Sequence, residues 1–427
     1  MKRDDQMRVE ERVERHVIKP SHPSYDLILD FCHKSKNLYN HGNYFVRQTF
    51  IKDDKWLRYA NLDKLLKADM EHPDYREMPT AQSAQQTLRM LDGAWKSFFA
   101  AVKDWSGHKD KYLGRPKLPK YLKKDGFYCL IMTNQNCKLK DGVIQFPKAF
   151  NGFTMRPKFP SHVGFLSFQQ VRFVPRKSYI TAELVYRIEV PDERPDNGRY
   201  IGIDIGVNNL AAVVNSWNGQ PFLINGRPLK SINQYMNKEY ARYKSVLEMM
   251  NGRRSSNRLR KLLSKRDSKM NDYMHKASRY IIEYCLENGV SKIIIGKNRL
   301  WKQDLNEQDK RKHPGMGVRT RKRNHQNFVQ VPFDRFIRMI SYKAREQGIA
   351  VVLTEEGYTS GTSFIDQEEP VKRNYDKGRR VKRGLFISNA GIEVNADINA
   401  AFQIMRKVVP ITWDRGRVLR PVMVSMA

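Results

Sequence analysis

The sequence predicts a mixed fold: an N-terminal β-barrel, a helical bundle inserted into it, and a C-terminal α/β domain. Three observations lead to this prediction. A heptad-like apolar seam between residues 80 and 105 is typical of a packed helix. Short β segments separated by turn residues lie between residues 127 and 190. After residue 200, strand-like and helical segments alternate, which favours a mixed sheet covered by helices.

The composition indicates a folded protein with a polyanionic partner. The chain has 427 residues, 40% of them apolar and 11% aromatic, which is enough for two or three domains with cores. A net charge of +33 far exceeds what solubility requires, so nucleic acid is the first candidate partner. No run of 18 apolar residues and no secretory signal is present, so we expect no membrane partner and a cytoplasmic, nucleoid-associated protein. Four scattered cysteines without a C-x-x-C pair suit a reducing compartment.

The N-terminal half predicts one strand, a helical segment and several further strands. Residues 8–19 alternate charged and apolar side chains and would complete the barrel. Helical patterns follow from Ser24 and over residues 80–105, whose aromatic residues we interpret as core and not as a base-stacking platform. The prolines of residues 114–121 exclude a helix there and indicate a basic linker. We therefore expect a barrel from residues 1–22 and 113–195, with a helical domain at 23–112. The predicted later strands are 127–132, 142–146, 164–168, 171–175 and 179–190.

The C-terminal half, residues 196–427, predicts an α/β domain. Its first strand, 201–205, contains Asp204 between isoleucines and ends in Gly206. A long basic helical stretch is then predicted over 232–286, and a second helix would open at Asn395. The remaining predicted elements are a strand at 290–295, a basic loop at 299–323, a helix at 328–347 and a strand at 349–353.

Three basic segments, 253–269, 299–323 and 372–383, are predicted to contact phosphates. A run of charged residues is ordinarily a solvated helix face. For 253–269, that explanation and a helix that contacts nucleic-acid phosphates are about equally good. The predicted nucleic-acid-binding residues are Arg253, Arg254, Arg258, Arg260, Lys261, Lys310, Arg311, Arg321, Lys322, Arg323, Arg379, Arg380 and Arg383.

Acidic residues stand at three strand ends or helix starts: Asp204, the pair Glu355 and Glu356, and Asp397. Each alone has an ordinary explanation, as a turn cap, a solvated strand end or a charge at a helix N-terminus. Together, on so basic a chain, they suggest a carboxylate cluster that requires counter-cations. Two Mg²⁺ ions held there could clamp the attacking and leaving oxygens of a phosphodiester.

The first strand alone also fits another class. Actin-like ATPases begin with a similar strand and use its turn to cradle phosphate. That class requires further glycine-rich phosphate loops, and the sequence has none after residue 206 and no Walker loop. The carboxylate interpretation is therefore favoured over the phosphate-cradle interpretation.

Four sequence blocks resemble the TnpB/OrfB proteins, transposon-encoded relatives of type V CRISPR effectors. They are IGIDIGVNNL, HKASRYIIEYCLENG with VSKIIIG, FVQVPF leading into TEEGYTSGTSF, and VNADINAAFQI. The resemblance implies an RNase H-like (RuvC) domain in an RNA-guided, Mg²⁺-dependent DNA endonuclease. It implies a guide RNA from the transposon end and a double-stranded DNA target beside a short motif. Two of the family's catalytic acids match Asp204 and Asp397.

The family's usual second acid is missing from its expected place. It ends the strand that reads KIIIGKN here, where Gly296 and Lys297 stand instead. We expect Glu356, with Glu355 as the less favoured choice, to act from the adjacent strand, because neighbouring strands lie about 4.8 Å apart. The catalytic and metal-binding residues are therefore predicted to be Asp204, Glu356 and Asp397.

The zinc-ribbon segment also departs from the family. Residues 357–393 contain no cysteine, so the four-cysteine site of many relatives cannot form and no zinc is expected. We expect a metal-free lid there. The alternative function is a nuclease-inactive, RNA-guided DNA-binding repressor, and a guide-free structural RNA-binding protein is a third. The oligomeric state is left open by the sequence.

Overall fold

A computed structural model describes residues 8–159, 164–251, 255–298, 326–382, 384–412, 414 and 417–426. The chain divides into two compact units, Met1–Glu189 and Val190–Ala427. Within the described ranges, no helix combines the length and the apolar character needed to cross a membrane.

The first unit contains a four-stranded antiparallel sheet, a small three-stranded sheet and three long helices. Strand order in the larger sheet is β1-β7-β6-β2, and in the smaller one β3-β4-β5. Strand β1 therefore pairs with β7, and the first predicted strand joins the later strands in one sheet. The elements are β1 (Val9–Ile18), α1 (Tyr25–Asp53), α2 (Tyr59–Ala68), α3 (Ala81–Gly107), β2 (Leu130–Thr133), β3 (Lys138–Lys140), β4 (Val143–Gln145), β5 (Thr154–Met155), β6 (Gly164–Pro175) and β7 (Ile180–Glu189).

Two sequence predictions for this sheet need correction. The segments 164–168 and 171–175 form the single strand β6, which continues through two register shifts against β7. Such bulges keep a strand paired where its alternation breaks, and this break suggested two strands. Closure into a barrel is not confirmed, since in the described ranges the edge strands β1 and β2 each have only one neighbour.

The apolar seam of α3 is core, as predicted. The helix begins at a capping box in which Thr80 accepts from the Ser83 amide. Trp95 is fully buried, and its Nε1 donates to Asn43 Oδ1 of α1 at 3.0 Å. A buried indole with its polar atom satisfied is typical of a packed helix interface, not of an open stacking surface.

The second unit is a mixed α/β fold, which confirms the predicted class. Its six-stranded sheet has the order β12-β11-β8-β9-β10-β15. Strands β8, β11 and β12 are parallel, whereas β8, β9 and β10 form an antiparallel meander. The elements are β8 (Tyr200–Asp204), β9 (Asn209–Asn215), β10 (Phe222–Asn225), α4 (Arg227–Asn251), α5 (Asn257–Glu287), β11 (Lys292–Gly296), α6 (Phe333–Arg345), β12 (Ala350–Thr354), β13 (Leu385–Ile387), β14 (Glu393–Asn395), α7 (Ala396–Arg406) and β15 (Val422–Val424).

Two helices of this unit differ from their predicted bounds. The stretch 232–286 is not one helix, because a new helix begins at Ser256, whose side chain accepts from the Leu259 amide. Helix α6 begins at Phe333 and not at residue 328, since Pro332 occupies its N-cap and a proline does not continue a helix. Strand β15 was not predicted, because three residues are too few to produce a clear alternation.

Helices cover both faces of the sheet and fix the position of α7. Ile201 and Ile203 of β8 share a core with α5 and α6, whereas Gly202 faces α7. An added Cβ at Gly202 would lie 2.8 Å from the carbonyl oxygen of Ala401 and 2.8 Å from Met405 Cβ. Only glycine permits this close approach, which brings the start of α7 towards the end of β8.

Candidate active site

The predicted acids meet at the carboxyl edge of the parallel strands. Ile203 of β8 pairs with Ile295 of β11, and Gly296 pairs with Thr354 of β12. Asp204 is the last residue of β8, and Glu356 follows two residues after β12. Functional groups in open α/β sheets commonly collect at this edge.

Glu356 occupies the space above Gly296. An added Cβ on Gly296 would lie 2.7 Å from Glu356 Cγ and 2.9 Å from its Oε1. Asn298 holds the same residue twice: its Nδ2 donates to Glu356 Oε2 at 3.1 Å, and its Oδ1 accepts from the Glu356 amide at 3.1 Å. Glu356 therefore reaches across the strand that lacks an acid. Its neighbour Glu355 is exposed.

Asp397 lies in the first turn of α7. The N-cap residue Asn395 accepts from the Asp397 amide and fixes that turn. Asp397 Oδ2 accepts from Asn209 Nδ2 at 2.7 Å, and its Oδ1 accepts from Arg380 Nη2 at 3.2 Å. Strand β9 and the segment before β13 thus both orient this carboxylate.

The electrostatics of the cluster are unfavourable without a cation. Desolvation raises the pKa of Asp204 well above its usual range, and the Glu356 and Asp397 carboxylates raise it further, against Arg380. Burial raises the pKa of Glu356 to about 7, although Lys407 opposes this shift. Among the described residues, the buried Glu356 Oε1 has no hydrogen-bond partner. An oxygen-rich cluster with an unsatisfied carboxylate oxygen fits a hard divalent cation.

The cysteine-free segment 357–393 is organised by ion pairs. Arg379 donates to both carboxylate oxygens of Glu368, at 2.8 and 2.9 Å, and Glu368 Oε2 also accepts from the Ser363 amide. Both side chains of the pair are 15% exposed. The prediction that Arg379 contacts phosphate is therefore not supported, since its guanidinium is already engaged by carboxylates.

The other predicted nucleic-acid contacts are only partly described. On α5, Arg258, Arg260 and Lys261 are exposed, with the Arg258 guanidinium 4.2 Å from the Tyr243 ring centre. Arg380 pairs with Asp397. The rest lie outside the described residues: Arg253, Arg254, Lys310, Arg311, Arg321, Lys322, Arg323 and Arg383.

Sequence reasoning missed three residues that support the site. Asn209 and Asn298 bind the carboxylates directly, and Lys407 donates to the carbonyl oxygens of Glu355 and Gly357. Asn209 belongs to the first sequence block and opens β9, whereas Asn298 lies two residues after the strand with the missing acid. For Asn298, an amide close to a strand end was the available signal.

The pH dependence of stability tests the buried state of Glu356. Its pKa is higher in the folded protein than in the unfolded chain, so the folded state binds more protons between about pH 4.5 and 7. In EDTA, we expect the free energy of unfolding to fall by roughly 1–3 kcal/mol as pH rises through this window. Glu356→Gln should reduce that loss. The exposed Glu355→Gln is the matched control, and an equal effect of both substitutions in urea unfolding would contradict the placement of Glu356.

The ion pairs of segment 357–393 can be tested by limited proteolysis. Arg379→Leu leaves the Glu368 carboxylate poorly paired, at a cost of about 1–3 kcal/mol, so cleavage within this segment should accelerate several-fold. Arg373→Leu is the control, because Arg373 makes only an exposed pair with Glu369 at 3.3 Å. Equal protection of the two variants would argue against the network.

Comparisons with known proteins find sequence matches in both units and weak structural matches. Residues 183–302 match the OrfB_IS605 family, described as probable transposase, and residues 333–404 match the Cas12f1-like TNB domain. The TnpB-like protein ORF457 of Acidianus two-tailed virus is 24% identical over 416 residues, covering 88% of this chain and 82% of that protein. Among solved structures, the mini-RNA-guided endonuclease CRISPR-Cas phi3 is similar with a TM-score of 0.44 and 10% identity, over 96% of this chain and 93% of that one. A Cas12f1–sgRNA–target DNA complex gives a TM-score of 0.35 and 13% identity, over 92% and 98%. These TM-scores are low and carry no argument. The sequence matches show a likeness to TnpB/OrfB proteins, over residues 183–302 and 333–404 for the family models and over most of the chain for the TnpB-like relative.

Proposed function

We propose that this protein is an RNA-guided DNA endonuclease. Asp204, Glu356 and Asp397 would form the active site at which it hydrolyses phosphodiester bonds. The observation that carries the proposal is the position of Glu356, whose side chain fills the space above Gly296. A displaced glutamate there replaces the acid that the family places on the strand itself. Its buried Oε1 lies near a second carboxylate and finds no hydrogen-bond partner in the part of the chain that the structure describes, so a purely structural role is not evident.

The residues present fit divalent metal ions. Three carboxylates in a desolvated cluster require positive charge to ionise together, and their oxygens are the ligands that Mg²⁺ prefers. Two Mg²⁺ ions would supply this charge and stabilise the attacking and leaving oxygens of an in-line displacement. Asp204, Glu356 and Asp397 would hold them.

The chain's own residues prepare the carboxylates for this role. Asn298 and Asn209 orient Glu356 and Asp397 by hydrogen bonds of 3.1 and 2.7 Å. Such supporting contacts fix carboxylate orientation and commonly affect metal affinity 10–100-fold. In the metal-free protein, Arg380 partly neutralises Asp397. When metal ions bind Asp397, this guanidinium would become available to a phosphate oxygen of the substrate.

The partners proposed for this chain are a guide RNA and double-stranded DNA. A net charge of +33 and the exposed Arg258, Arg260 and Lys261 support a polyanionic ligand. The likeness to TnpB/OrfB proteins supports a guide derived from the transposon end, with target sequence read by base pairing and a short adjacent motif read in the duplex. An RuvC-like (RNase H-like) domain over 196–427, with a β part and inserted helices before it, is part of the same proposal.

The deciding experiment is cleavage of a plasmid library by the full chain, co-expressed with the DNA that flanks its own gene. We expect Mg²⁺-dependent cuts beside one short motif and none in EDTA. Asp204→Asn and Glu356→Gln should each lower the cleavage rate by at least about 100-fold and retain RNA binding, whereas Glu355→Gln should cleave like the wild type. RNA-dependent DNA binding without cuts would identify the nuclease-inactive repressor instead.

A second variant tests the position of Glu356 without removing any carboxylate. Gly296→Ala places a Cβ within 2.9 Å of Glu356 Oε1 and should displace that side chain, lowering the cleavage rate about tenfold or more. Gly93→Ala is the control, since nothing lies within 4 Å of its added Cβ. Full activity of Gly296→Ala would mean that the space above residue 296 is not used by a catalytic acid.

A further inference from the structure

We propose that the first unit binds a divalent transition-metal ion between His41, Asp69 and His72. One oxygen, Asp69 Oδ2, faces both imidazoles: His41 Nε2 lies 3.4 Å away and His72 Nδ1 lies 3.0 Å away. The three ligand atoms all lie within 4.8 Å of one another. The ligands come from two separate parts of the chain, which the ion would join.

Local structure aims the carboxylate at the two histidines. Asp69 caps the C-terminus of α2, and His72 precedes the 3₁₀ turn Pro73–Tyr75. Asp69 Oδ1 accepts from the amides of Glu71 and His72, at 2.9 and 3.1 Å. These two bonds satisfy one carboxylate oxygen and leave Oδ2 directed towards His41 on α1.

An ion explains this arrangement better than hydrogen bonds alone. Of the two rings, that of His72 makes a hydrogen bond with Asp69 Oδ2, whereas the contact of His41 Nε2 at 3.4 Å is long for one. The two rings, with centroids 4.7 Å apart, both face this single carboxylate oxygen. A tetrahedral zinc ion with bonds of about 2.1 Å separates its ligand atoms by about 3.4 Å, so the observed spacings accommodate it with little movement.

A second carboxylate completes the expected arrangement around His41. In the part of the chain that the structure describes, the buried His41 Nδ1 has no hydrogen bond, and Asp74 Oδ2 lies 3.2 Å from it. With Nε2 on the metal, Nδ1 carries the proton and can donate to Asp74 after a small rotation. A carboxylate behind a metal-binding imidazole is the usual second partner at such sites.

The ligand set selects the class of ion. Two imidazoles and one carboxylate suit Zn²⁺ and related transition metals and not Mg²⁺, which prefers oxygen ligands alone. A water would fill the fourth position. The expectation that zinc is absent depended on missing cysteines, and it does not apply to a histidine–aspartate site in another unit. This inference does not depend on the proposed nuclease activity.

Zinc binding to the full-length protein tests the site. The protein should carry no polyhistidine tag and should contain Asp204→Asn and Glu356→Gln, so that the carboxylate cluster of the second unit contributes little. After equilibration with Zn²⁺ alone and gel filtration, we expect about one equivalent of zinc per chain by elemental analysis. Replacement by Co²⁺ should give the visible absorption bands of a tetrahedral site.

Substitutions in this background separate metal binding from folding. His72→Ala should abolish zinc retention; the His72 side chain is 57% exposed, so its loss leaves the fold intact. Asp74→Asn should weaken zinc binding 10–100-fold and keep the stoichiometry. His108→Ala is the matched control, because His108 makes an exposed 3.0 Å pair with Asp104 and belongs to no predicted metal site. The proposal is overturned if His72→Ala retains as much zinc as the parent protein, or if the parent holds no zinc above the buffer level.

Discussion

Mutual repulsion among three carboxylates at one edge of a sheet governs the design of the second unit. Asp204 is fixed at the end of a central strand, and its pKa is raised by burial and by both neighbouring acids. In such a desolvated setting, charge is costly unless a counter-ion is supplied. The surrounding structure does not relieve this cost with lysines or arginines alone. It instead holds the acids in place with neutral amides, from Asn209 and Asn298, which orient oxygens without neutralising them.

The close packing of α7 on β8 makes this crowding possible. Because Gly202 has no side chain, the helix backbone approaches the strand directly, and its first turn carries Asp397 towards Asp204. The crowded carboxylates lower the stability of the fold, and such a loss is common at functional sites. In segment 357–393, by contrast, charges are matched, since Arg379 and Glu368 compensate each other. That segment keeps its local order through side-chain pairs formed from residues close in sequence.

The sequence allowed the mixed sheet and the main helices to be predicted, because strand alternation and helix caps are local signals. It also placed Asp204, Glu356 and Asp397 at element ends that meet in the structure, whereas their catalytic role stays a prediction. What it could not reveal depends on contacts between distant residues. Nothing near residue 379 distinguishes a phosphate contact from an ion pair with Glu368. Likewise, no periodicity connects His41 with Asp69 and His72. The break at Ser256 was readable as a cap, but the basic run around it concealed the end of one helix and the start of the next.

The close approach of Glu356 to Gly296 also limits which substitutions this site can accept during evolution. A side chain at residue 296 and the present conformation of Glu356 would occupy the same volume. An acid at residue 296 cannot be added while Glu356 keeps its present conformation. If Glu356 is lost first, the cluster loses one of its three acids. The two positions are therefore expected to covary, with an acid at one or the other in related chains. A chain that carries acids at residues 296 and 356 together must move the Glu356 side chain away. Few sequences can therefore connect the two arrangements.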